Sequence, residues 1–104
     1  MSKYQIEITY PAENDLREIG NYITHELLEP ETAKKIVNKI GAAIFSLEEL
    51  PQRNSLVSDE RLAHQGIRKI VVDNFIVFYI ISEEDKILTI VRILYIKRDW
   101  MNLL

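Results

Sequence analysis

The chain has 104 residues, 47% of them apolar, and a formal charge of −3. That is the material of a single domain over residues 1–104, with a modest core and little room for a second domain. There is no cysteine, which excludes a disulfide framework and any cysteine-held metal. Residues 1–66 carry 7 basic and 11 acidic side chains and residues 67–104 carry 6 and 5, so neither part has the strong positive balance of a protein that binds through phosphates.

The chain enters a charged, alternating segment directly after Met1, unlike a secretory leader. Tyr4, Ile6 and Ile8 alternate with Gln5 and Glu7, the period of a strand with one buried face. Pro11 suits the first turn of a helix, and Glu13 and Asp15 favour the positive end of its dipole. Leu16, Ile19, Ile23 and Leu27 then fall on one face, with Tyr22 beside them. Pro30 biases Glu29 out of the helical region, so this helix should end near Leu28. A second helix follows at once, with Ala33, Ile36, Val37, Ile40, Ala43, Ile44 and Leu47 at helical spacing, closed by Leu50-Pro51. Such a short link predicts a helical hairpin.

Residues 51–66 show no period, and a loop of that length in a small domain is often functional. From Ile67 the chain turns β-branched and aromatic. Strands are predicted over 67–72, 75–82 and 87–96, with turns at Asp73-Asn74 and Glu83-Glu84-Asp85. The fold class is therefore α+β in the order β-α-α-β-β-β, an antiparallel-rich sheet of at least four strands with the helices on one face. Leu16, Ile23, Ile36, Ile40, Ile44, Ile6, Val77 and Val91 are the expected core.

The third and fourth strands are apolar on both faces. Phe75, Val77, Tyr79 and Ile81 back onto Ile76, Phe78 and Ile80; strict alternation sets Ile87, Val91, Ile93 and Tyr95 against Leu88, Ile90, Leu94 and Ile96. One helix pair covers one face, so the other must meet the tail, the long loop or another protein. With both faces apolar, the isolated chain is expected to self-associate or to be poorly soluble. The longest apolar runs are too short to span a bilayer, and no membrane association is expected.

Phosphate loops, dinucleotide fingerprints, paired-histidine metal motifs and nucleophile elbows are missing. His25 reads as a capping or solvated residue at a helix end, and His64 lies in the loop without an evident partner for general-base work. No catalytic residue, metal site or cofactor is assigned. Arg92, alone among apolar neighbours, reads as half of a structural ion pair, and Tyr79 and Tyr95 as packing residues.

Four stretches in order carry a resemblance. They are Ala12-Glu13-Asn14-Asp15-Leu16, Ser46-Leu47-Glu48-Glu49-Leu50-Pro51, the hairpin from Gly66 to Tyr79, and the segment from Val91 to Trp100. Together they resemble the RelE/ParE superfamily of toxins over nearly the whole chain, with Arg92, Tyr95, Asp99 and Trp100 as the family-signature residues. The resemblance implies the toxin of a type II toxin–antitoxin system of the plasmid-stabilisation kind. Such a toxin is cytoplasmic and is held off by a cognate antitoxin that lays a flexible, often helical segment across its grooves.

The superfamily divides in mechanism. RelE-like members are ribosome-dependent, metal-independent mRNA interferases that use strand cations and a C-terminal tyrosine. Here Ile76 stands at the arginine position of that branch, the paired lysines fall at Arg68 and Ile70, and no tyrosine follows Trp100. ParE-like members bind DNA gyrase, and this sequence resembles that branch more closely. Arg68 and Arg98 are then the candidate target contacts. The alternatives are RNA cleavage, or an inactive member kept for antitoxin binding.

Overall fold

Thr9 decides where the first strand stops and the first helix begins. The computed structural model describes residues 3–49, 51–53, 56–57 and 60–97. In it β1 (Gln5–Ile8) leads through Thr9 into α1 (Tyr10–Asn21). The extended backbone of Thr9 lets its Oγ1 accept the Ala12 N–H at 3.2 Å, the usual N-cap arrangement, and Pro11 sits in the first turn, where no N–H is needed.

α1 runs on as a π turn (Tyr22–Glu26), in which the Leu27 N–H reaches back five residues to the Tyr22 carbonyl at 3.2 Å. Leu28 then takes a left-handed φ of 55° and sends the chain into α2 (Pro30–Ser46). The expected helix end near Leu28 holds. The expected inward face does not hold to its end: Leu27 is 48% exposed, because the wider π turn that follows Tyr22 rotates it off the α-helical stripe, and Tyr22, at the flank of that stripe, is 56% exposed.

A 3₁₀ turn (Pro51–Arg53) and a five-residue α3 (Glu60–His64) follow, then β2 (Arg68–Val72), β3 (Phe75–Ser82) and β4 (Ile87–Tyr95). Asp73 and Lys86 supply the positive φ that the two hairpin turns require. Strand order is β1-β4-β3-β2, with β1 parallel to β4 and the other pairs antiparallel. The α1–α2 hairpin packs on one face.

A β-bulge interrupts β4. Phe78 stands opposite Arg92 but Tyr79 stands opposite Ile90, leaving Val91 as the extra residue. The bulge changes which residues face the helices: Leu88 and Ile90 before it and Ile93 after it share the main core with Val77, Tyr79, Ile40, Ile44 and Leu47. Val91 is thereby placed on the other side of the sheet, which corrects its expected position beside Val77; strict alternation fails because a bulge shifts the period by one. Ile23, Ile40, Ile44 and Val77 are buried as expected, and Ile6, Leu16 and Ile36 pack half-buried against the same core.

The second face is covered by the long loop. Val57, Leu62 and Ile67 form a second core with Ile76, Phe78 and Leu94, and all six are buried. α3 escaped the sequence pattern because one helical turn is too short to show a period. Leu62 is 2% exposed, so Leu62→Ala should cost about 2–4 kcal/mol, read by urea denaturation, and should raise binding of an apolar dye as the second sheet face loses its cover. An unchanged denaturation midpoint would show that α3 contributes no packing.

Candidate functional site

β1 ends opposite Ile90, and beyond that point the edge of β4 is served by α1. The Thr9 N–H donates to the Ile90 carbonyl at 3.1 Å, and Thr9 Oγ1 donates to the Val91 carbonyl at 2.9 Å. One turn further along, Asp15 takes over. Its carboxylate accepts from Arg92 Nε at 2.6 Å, from Arg92 Nη2 at 2.8 Å and from the Ile93 N–H at 3.0 Å. Asp15 is 7% exposed, and its hydrogen bonds hold the Arg92 guanidinium above its ordinary pKa. Arg92 is therefore the structural ion pair read from the sequence. Asp15 was read only as a dipole partner; a carboxylate one turn into a helix gives no sequence sign that it will meet a strand 77 residues away.

This pair stands beside a cleft of about 630 Å³, within the usual range of binding clefts, roughly 300–1,000 Å³. Ile19, Ile23 and Leu27 line it from α1 and the π turn, Ile36 from α2, and Phe75 and Tyr95 from the strand ends. The rings of Phe75 and Tyr95 lie 5.9 Å apart in a tilted contact, and Tyr95 stays 40% exposed at the rim. The cleft walls are mostly apolar, with Asp15 and Glu18 as their carboxylates.

Arg68 lies at the other end of the sheet, opposite Tyr79, four rungs or about 13 Å along the strands from the Phe75–Tyr95 rung. It is half-buried, and its Nη1 donates to the Gln52 carbonyl at 3.3 Å. The 3₁₀ turn is pinned there by further bonds. Tyr79 Oη donates to the Pro51 carbonyl at 2.7 Å, Gln52 Nε2 donates to Tyr4 Oη at 2.6 Å and to Glu83, and Tyr4 Oη donates to Glu83 at 2.7 Å. These bonds from Tyr4 and Gln52, with Lys86 nearby, draw the Glu83 carboxyl below its ordinary pKa. The register thus separates Arg68 from the signature residue Tyr95, whereas Arg92, opposite Phe78, stands one rung from Arg68 and two strands across the sheet. Arg98, Asp99 and Trp100 lie outside the described residues.

Two outcomes follow from these contacts. Asp15→Asn should destabilise the fold by about 2–3 kcal/mol in denaturant titration, somewhat less than loss of a fully buried partner because the Arg92 side chain keeps 21% exposure. An Asp15→Asn, Arg92→Met double variant should recover part of that loss. Glu83, with its lowered pKa, stabilises above the ordinary glutamate value of about 4.3 and loses that contribution as pH falls through the lowered one. Glu83→Gln should flatten the acid limb of stability against pH and leave the slope near neutrality unchanged.

The fold has known counterparts. A family model described as the ParE toxin of type II toxin–antitoxin system, parDE, matches residues 6–100. Among solved structures, the chain superposes on one from the chromosomal ParDE system of P. aeruginosa with a TM-score of 0.75 and 22% identity, covering 91% of this chain and 98% of that one. It also superposes on one from the RelBE2 toxin–antitoxin complex of Mycobacterium tuberculosis, with a TM-score of 0.61 and 20% identity, covering 91% and 93%. At these identities the structural likeness is one of fold. Comparison with curated proteins finds no match. The family match begins inside β1 and runs past the end of β4, through every element that positions the Asp15–Arg92 pair and the cleft. The chain belongs to the ParE toxin family of type II toxin–antitoxin systems.

Proposed function

We propose that this toxin acts in the cytoplasm, that a cognate antitoxin neutralises it, and that it arrests growth by binding DNA gyrase without cleaving RNA. The observation that carries the choice of target is Ile76. It occupies the position at which the RNA-cleaving branch would carry an arginine, and it is 3% exposed, packed in the core beneath the loop that contains α3. Ile70, at a lysine position of that branch, packs half-buried against the main core. A phosphoryl-cleaving site built from cations aimed at the scissile phosphate loses a few kcal/mol of barrier lowering with each such group. The net charge of −3 also gives little electrostatic pull towards a ribosome.

An antitoxin segment finds apolar anchors on the helical hairpin, where Tyr10 and Leu28 are each 78% exposed and Phe45 67%. Among the described residues no helix is long and apolar enough to cross a membrane. Arg68 and Arg98 are the proposed target contacts.

The purified toxin should inhibit supercoiling by gyrase and leave mRNA on stalled ribosomes intact, and addition of the antitoxin should restore supercoiling. Arg98→Ala should weaken inhibition about tenfold, equivalent to about 1.4 kcal/mol, with antitoxin binding unchanged. Codon-dependent cleavage in the ribosomal A site by the wild-type protein would overturn the gyrase assignment.

A further inference from the structure

The cleft beside the Asp15–Arg92 pair continues across α2. A second hollow, whose charged residues are Lys35, Lys39 and Asp73, shares Thr32 and Ile36 with it, so the two form one groove. Its two sides differ in charge. On the α1 side stand Asp15 and Glu18. Asp15 is balanced by Arg92. Glu18 is exposed, accepts from the neutral Asn14 amide at 3.1 Å, and has no ion-pair partner among the described residues. On the α2 side Lys39 is balanced by Asp73 at 3.0 Å, while exposed Lys35 has no ion-pair partner among the described residues. One negative charge therefore remains on the α1 side and one positive charge on the α2 side. Between them the lining is apolar, with Ile19, Ile23, Ile36 and Phe75.

We propose that this groove seats an amphipathic helix of the neutralising partner, and that its charges select that helix. The helix carries an apolar stripe with a basic residue on one flank, facing Glu18, and an acidic residue on the other, facing Lys35. Burial of the stripe supplies the affinity, and the two flanking charges supply specificity and register. A helix basic on both flanks, or acidic on both, matches one side of the groove and is repelled by the other. The proposal rests on the reading that a partner protein neutralises this toxin, and it names the chemistry that the partner's segment must carry. A second copy of the chain is the competing occupant.

The test uses the full chain and three blocked helical peptides that share one leucine stripe. The first carries arginine on one flank and glutamate on the other, the second arginine on both flanks, the third glutamate on both. Neither antitoxin nor gyrase enters the assay, so the neutralisation reading stands or falls separately, on the supercoiling measurement. At low salt the wild-type chain should bind the mixed peptide about two- to fivefold more tightly than either of the others, the scale of an exposed ion pair, and added salt should shrink the difference. Glu18→Lys should transfer the preference to the glutamate peptide, and Lys35→Glu to the arginine peptide. Should a reversal alter the far-ultraviolet circular dichroism, Glu18→Gln and Lys35→Gln replace it, and each should erase the preference on its own side of the groove. No binding to the wild-type chain would overturn the proposal. So would a preference that stays the same in every variant, the mark of an apolar patch or of bulk charge. A wild-type chain that sediments as a dimer, and that either reversal turns into a monomer, would give the groove to a second copy and overturn it as well.

Discussion

The Asp15 carboxylate, which accepts two bonds from the Arg92 guanidinium and one from the Ile93 N–H, holds the point where the two layers of this fold are joined. A four-residue β1 is too short to pair with the whole of a nine-residue β4, so the far half of β4 has donors and acceptors that need other partners. α1 supplies them, first through Thr9 and then through Asp15. An ion pair this well hydrogen-bonded adds little net stability beyond an apolar replacement. Its effect here is on register: it fixes α1 against the one stretch of β4 where the strand has slipped by a residue.

That register sets the two cores. Without the Val91 bulge, a strand that presents Leu88 and Ile90 to the helices would present Arg92 and Leu94 next, and Ile93 would fall on the opposite face. With it, Ile93 joins the helix-facing core while Leu94 drops beneath the loop containing α3. The cleft depends on the same slip, since Ile93, Leu94 and Tyr95 border it and Asp15 stands in its wall. Strand, bulge and helix start therefore form one unit, and displacing any of them moves the cleft.

The sequence carried the strands, the helical hairpin and the fold class, because each long element repeats its own period: Ile40, Ile44 and Leu47 on α2, or Val77 and Tyr79 against Ile76 and Phe78 on β3. It located Arg92 as a structural cation, since a lone charge among β-branched neighbours needs a partner. Its partner Asp15, the π turn and the bulge were not legible. The π turn and the bulge are each a departure of one residue from a regular period, and Asp15 lies 77 residues from the strand residue it meets. The two-sided apolar pattern shows that the second face needs cover but not what supplies it, because a five-residue helix around Leu62 has too few positions to announce itself.

The two-sided burial of β3 also bears on how one scaffold serves different chemistries. A fold shared at 20–22% identity does not transmit its target. In this chain position 76 lies in a core with Val57, Leu62 and Phe78. A guanidinium placed there would be cut off from water and unpaired, at a cost of several kcal/mol, unless the loop containing α3 moved away. Cover and charge are thus coupled: a chain that keeps Leu62 over its third strand keeps an apolar residue under it, and a chain that aims cations outwards from that strand must leave it uncovered. Here the loop covers the strand, and the open apolar surface of the described residues includes the helical hairpin and the rim of the cleft.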